Sequence, residues 1–421
     1  MEGCVDMKKQ VCMKKSGGRL HDIQPVVSKL VNNGKVGEDN TLTYAGFEPS
    51  NLIVLLSQMI TIGNAESLFD KEKIIPRVIV ECISNERDDV DFFLSTMESV
   101  VREMQSIKEK EFYVLTGISL DVRSCLKKEW VINDCKITLS EGFDSMFDSR
   151  KEALESLSWC GSDDAYTSVV ITVKSKTPKG AMFKGLRALN VFRALLCFDA
   201  NNVQFIFGDN CWPINKVRLG RYQTVHKSSG EIVRSVLFHE KRFKLESSLP
   251  YFDESKSKVI NNNIEHHLSS ISDCKYSSLI GSALERCADA LDEYDCDVAV
   301  VKLWGALESL VAYGDSNCER VPVRVAAVFG NDVFIKEWLY HIKDYRNRYV
   351  HEGECDQRSV HLAYKLGAVF KWVFIFFLRL KRDDVRGVLG LLDLSSKGLG
   401  HIELKESELR DARNLLVGKG G

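Results

Sequence analysis

The chain has 421 residues, 44% of them apolar and 28% charged, with a formal net charge of -2. That length predicts two or three domains instead of one core. The balance is that of an ordinary globular protein and excludes a global electrostatic pull toward nucleic acid or membrane, so a nucleic-acid site must be a local basic patch. The 13 cysteines are scattered, with no CxxC pair and no Cys/His cluster at zinc-finger spacing. With an odd count and no secretory apolar stretch after Met1, they read as reduced thiols of a cytoplasmic protein.

Residues 1–40 are rich in Lys, Asn and Gly with weak periodicity, which predicts a loose N-terminal arm with a turn at Asn32-Asn33-Gly34. From 41 to 250 the pattern is mixed and predicts an α+β domain. Short apolar runs predict strands at 42–47, 77–83, 112–116, 130–139 and 168–173. Alternation over 203–207, after the turn pair Asn201-Asn202, predicts a hairpin strand. Apolar spacing predicts helices at 92–108, 141–157 and 182–197. No GxGxxG, P-loop, HExxH or GxSxG pattern occurs, so no cofactor and no metal is expected.

After Pro250 strand-like alternation gives way to helical spacing. A polar linker over 251–262 leads to predicted helices at 264–273, 276–292, 295–313, 323–329, 332–350 and 357–381. Residues 251–382 thus read as a compact all-α bundle, and the fold class is α+β, a mixed N-terminal region followed by that bundle. Leu366 to Leu380 is apolar enough to suggest a membrane span. Lys371 interrupts it, and Arg379 and Lys381 follow. The uninterrupted run is short of the roughly 20 residues a bilayer requires. We read it as a buried or interfacial helix with no membrane partner, in which Trp372, Phe374 and Phe377 could serve either internal packing or a dimer contact. The tail, 383–421, predicts a helix pair.

One segment carries candidate chemistry: Tyr345-Arg346-Asn347-Arg348-Tyr349-Val350-His351-Glu352-Gly353. Arg346 offers a rigid, always charged fork for a phosphate. His351 offers an imidazole, the side-chain type suited to proton transfer. Asn347 can orient either group through its amide. The chemistry these three suit is metal-independent RNA cleavage, in which the ribose 2′-OH attacks the adjacent phosphorus. Glu308 and Asp344 are candidate carboxylate partners for Arg346. Lys343, Arg348 and Tyr349 are candidate RNA contacts, by charge or by stacking on a base. On a regular helix Arg346 and His351 stand about 140° apart with a rise of about 7.5 Å. They converge only if His351 lies past the last helical turn, which Gly353 would allow, or if two subunits meet there. The same residues also fit an ordinary basic helix end favoured by the helix dipole.

The bundle and its Arg346-Asn347-Arg348-Tyr349-Val350-His351 segment resemble the HEPN superfamily, and more narrowly the C-terminal domains of bacterial anti-phage and abortive-infection proteins. The family motif pairs an arginine and a polar residue with a histidine; Arg346, Asn347 and His351 match it. The upstream helix with Trp304, Glu308 and Leu310 looks like the family's supporting helix. The resemblance covers a quarter to a third of the chain. It implies a homodimeric, metal-independent endoribonuclease acting on RNA in phage defence, with a phage-derived trigger sensed by the N-terminal region, and it alone attaches a sensing or regulatory role to residues 41–250. Some members have lost cleavage, so it equally allows a non-catalytic sensor or scaffold that dimerises through the bundle.

Overall fold

The computed structural model describes residues 11–16, 19–45, 48–62, 71–156, 166–201, 213–245, 248–315, 319–353, 359–380 and 384–417. An N-terminal mixed α/β region, reaching to about residue 240, is followed by an all-α helical bundle. The chain divides into two compact units. The first comprises Met1–Tyr113, Val173–Phe183 and Val225–Ser229, and the second comprises Val114–Thr172, Lys184–Thr224 and Gly230–Gly421.

In the first unit the strands are short: β1 (Val11–Met13), β2 (Lys15–Ser16), β3 (Arg19–Leu20), β4 (Lys35–Val36), β5 (Leu42–Thr43) and β6 (Ile60–Ile62). They form three antiparallel pairs, β1 with β6, β2 with β3 and β4 with β5. Four helices supply the core: α1 (Gln24–Asn33), α2 (Glu48–Met59), α3 (Lys71–Ser84) and α4 (Val90–Ser106). Ile23, Val27 and Leu30 from α1 and its cap pack with Ile75, Val78 and Ile79 of α3 and Phe93, Met97 and Val101 of α4. The segment expected as a loose arm therefore builds core. Its three buried side chains recur every three or four residues, and Pro25 in the first turn removes an amide that has no helical partner anyway. Asp89 caps α4 by accepting the Phe92 amide at 2.9 Å. Residues 77–83, read as a strand, lie inside α3.

The larger sheet has six strands: β7 (Lys110–Ile118), β8 (Glu129–Ile132), β9 (Cys135–Ser140), β10 (Thr167–Ser175), β11 (Tyr222–Lys227) and β12 (Ile232–His239), in the order β12-β11-β7-β10-β9-β8. The single strand expected over 130–139 is a hairpin. Asn133 and Asp134 hold φ of 49° and 61°, the two left-handed residues of a tight turn, and Ile132 faces Cys135 across it. The helix expected from 141 begins later, as α5 (Ser149–Ser156) after a 3-10 turn at Ser145–Phe147. Then comes α6 (Pro178–Ala200). The strand expected at 203–207 lies outside the described residues.

The bundle contains α7 (Glu254–Ser272), α8 (Ser277–Leu291), α9 (Cys296–Val311), α10 (Arg320–Val328), α11 (Val333–Glu352), α12 (Ser359–Arg379), α13 (Val385–Ser395) and α14 (Leu399–Val417). The apolar faces of α8, α9 and α12 make its centre, with Leu284, Leu303, Trp304, Leu307, Phe370, Phe374 and Phe377 at 1% exposure or less. Burying each such side chain contributes about 1.5–3 kcal/mol. Among the described helices, α12 alone is long and apolar enough to cross a membrane. Phe374 and Phe377 face inward, and Tyr276 donates its hydroxyl to the Phe377 carbonyl at 2.9 Å. Trp372 is left 53% exposed.

Two buried arginines fasten this unit. Arg193 of α6 donates two hydrogen bonds to Asp292 at the end of α8, at 2.7 and 2.6 Å. Arg324 of α10 meets Asp393 of α13 and Asp315, at 2.7 and 2.6 Å.

Candidate functional site

The candidate residues lie on the last third of α11. Asp332 caps its start by accepting the Ile335 amide at 2.9 Å. Leu339, Ile342 and Tyr345 are its buried stripe, three residues apart and so on one face. Tyr345 is 2% exposed, and its hydroxyl donates to Asp297 of α9. This contact fixes the rotation of α11, so Tyr345 is part of the bundle and not of an exposed stacking surface.

The helix runs through Glu352 and stops at Gly353, whose φ of 72° and ψ of 18° are left-handed and whose amide donates to the Tyr349 carbonyl at 3.1 Å. His351 is therefore inside the helix, and convergence through an unwound end does not occur. Arg346 and His351 keep the separation of about 140° that a regular helix gives them.

Asn347 links their two faces. The Arg346 guanidinium donates from Nη1 to Asn347 Oδ1 at 2.9 Å. Asn347 and His351 are four residues apart, which makes them surface neighbours on successive turns. Asn347 thus neighbours both residues without bringing Arg346 and His351 onto one face. Arg346 is half-buried, and its Nε is enclosed with no hydrogen-bond partner. His351 and Arg348 are exposed, and Tyr349 is partly so.

The supporting residues behave differently from expectation. Glu308 accepts from the indole Nε1 of Trp304 at 3.1 Å, one turn back on α9, and makes no ion pair with Arg346. Asp344 is exposed. It stands two positions from Arg346, a spacing that turns the side chains apart. Lys343, expected as an RNA contact, is held by both oxygens of Glu319 at 2.7 and 2.6 Å and lies 5.5 Å from the Tyr340 ring. The other basic residues of this helix end are the half-buried Arg346 and the exposed Arg348. Among the described residues no three His, Cys, Asp or Glu side chains gather as metal ligands.

The sequence reading missed the Asp297–Tyr345 and Trp304–Glu308 contacts. The second had a signal, the i, i+4 spacing on one helix. The first had none, because it joins residues 48 positions apart. No protein-family model, curated protein or solved structure matches this chain.

Proposed function

We propose that the chain is a metal-independent endoribonuclease of HEPN type, acting in the cytoplasm as an effector of anti-phage defence. The observation that carries this reading is the Arg346–Asn347 hydrogen bond, which holds a phosphate-binding fork on the residue that precedes the exposed His351 by one helical turn. In the proposed reaction the 2′-oxygen bonds to phosphorus and the 5′-oxygen leaves. His351 takes the 2′-hydroxyl proton and, as imidazolium, gives it to the leaving 5′-oxygen, leaving a 2′,3′-cyclic phosphate. Arg346 neutralises the charge that builds on the non-bridging oxygens, and Asn347 keeps the fork in place. Arg348 and Tyr349 would guide the RNA strand. Because Arg346 and His351 stand on different faces of one helix, two copies are required to complete the set, and a homodimer joined near α11 is part of the proposal. Sensing of a phage-derived trigger is assigned to the N-terminal region.

A second reading, a non-catalytic sensor or scaffold that dimerises through the bundle, is favoured by one observation. Lys343 is paired with Glu319, which thins the basic surface an RNA strand would follow.

The two are separated by incubating purified protein with end-labelled RNA in EDTA. Wild type is expected to yield fragments ending in cyclic phosphate. His351→Ala and Arg346→Ala are each expected to reduce the rate by at least about 100-fold, with unchanged far-UV circular dichroism. Cleavage that survives in both variants rules out this site.

A further inference from the structure

Apart from α11, the second unit contains a cavity of about 130 Å³ walled by Phe198, Leu291, Gly367, Ala368, Lys371 and Trp372, at the meeting of α6, α8 and α12. Its walls are predominantly apolar, and its size is that of a cavity filled by one ring: an apolar space of about 150 Å³ accepts benzene. The room comes from the sequence of α12. Gly367 and Ala368 are small residues on a helix otherwise rich in bulky ones, between Tyr364 and Trp372. A Cβ on Gly367 would lie 3.3 Å from Leu291 Cδ2, so glycine lets α12 approach α8 while leaving the space beside it open.

Lys371 is the charged group of the lining, which also includes Asn201, whose amide is engaged by Asn215 Oδ1 and the Lys216 amide. Lys371 Nζ donates to the Phe198 carbonyl at 2.8 Å and lies 3.4 Å from Asp199 Oδ1. An ammonium has three donors, so one is left for an occupant. Its charge is already balanced by Asp199, whose other oxygen accepts from Asn263 at 2.9 Å. An anionic ligand would meet the Asp199 carboxylate, whereas a neutral acceptor would complete the Lys371 set without adding charge. We propose that this cavity is a binding site for a neutral, single-ring aromatic compound bearing one hydrogen-bond acceptor, held by Phe198, Leu291 and Trp372 around the ring and by Lys371 at the acceptor. The site is independent of the Arg346 and His351 chemistry.

The test uses the full-length protein with benzyl alcohol as probe, and benzoate and toluene as controls. Titration followed by methyl NMR is expected to give saturable binding of benzyl alcohol with a Kd of about 0.1–1 mM, the range open to a ligand of this size. Benzoate and toluene are each expected to bind at least about 10-fold more weakly, since each forfeits one close interaction. Ala368→Phe fills the space and is expected to abolish binding, while Lys371→Met is expected to remove the preference for benzyl alcohol over toluene. NOEs from the ring to the methyls of Leu291, assigned through Leu291→Val, locate the ligand even if the filled variant fails to fold. No saturation by 10 mM (about ten times the expected upper limit), equal binding of benzoate, or absence of the Leu291 NOEs overturns the proposal.

Discussion

The contact between Arg193 and Asp292 makes a quantitative demand on stability. The two side chains are 1% and 8% exposed. Besides its two bonds to Asp292, the guanidinium donates to the Val217 carbonyl at 3.2 Å and to Asn190 Oδ1 at 2.8 Å. Asn215 donates to the same carboxylate at 2.9 Å. Arg193→Met keeps the length and the apolar stem but leaves Asp292 buried with one neutral donor. Stripping one partner from a buried ion pair destabilises by about 3–5 kcal/mol. In a unit of this size each kcal/mol lowers the melting temperature by about 2 °C, so a fall of about 6–10 °C is expected. Asp292→Asn alone strands the cation instead and should cost a similar amount. The double variant removes both charges and should recover at least half of the summed loss, because the penalty belongs to the unpaired charge. Urea denaturation followed by far-UV circular dichroism measures all four proteins. A loss under 1 kcal/mol in Arg193→Met, or strict additivity in the double variant, would refute this account of the pair.

Two further outcomes follow from local chemistry. Burial, reinforced by the neighbouring His266 and Lys371 and opposed by Asp199, holds the His267 imidazole below its ordinary value. The unfolded chain therefore takes up its proton first, so this contribution is whole above about pH 6.5 and is lost as pH falls through the lower folded-state value. His267→Phe retains an edge contact with Phe374, 5.4 Å away. It should flatten the fall in melting temperature between about pH 7 and 5, and an unchanged slope would assign that fall to other groups. Gly353→Ala tests the stop of α11. Nothing lies within 4 Å of the added Cβ, so the change isolates backbone strain at positive φ, about 1 kcal/mol. A denaturation midpoint equal to wild type would mean the helix end relaxes freely.

Much of the bundle is legible in its periodicity. Leu303, Leu307 and Leu310 on α9 and Leu366, Phe370, Val373 and Phe377 on α12 mark faces at helical spacing, and Gly353 marks a stop. The region before it is less readable. In α3 the β-branched run Val78-Ile79-Val80 favours a strand locally, yet Ile74, Ile75, Val78, Ile79 and Cys82 are all buried, a pattern that suits a helix with one broad face in the core. Asn133-Asp134 divides an apparently continuous strand because two left-handed residues reverse the chain. At the candidate site the identities of Arg346, Asn347 and His351 were readable, but their relation was not. One residue in the position of the helix stop decides whether His351 is inside or beyond the last turn. Which carboxylate meets Trp304 or Lys343 depends on packing, and the Arg193–Asp292 pair joins positions 99 residues apart.

The first unit is assembled from three separate stretches of chain, Met1–Tyr113, Val173–Phe183 and Val225–Ser229. A gene fragment that ends near codon 113 therefore encodes that unit without two of its parts, and one that starts there carries those parts without the rest. A single breakpoint near codon 113 therefore separates the two short stretches from the rest of the unit.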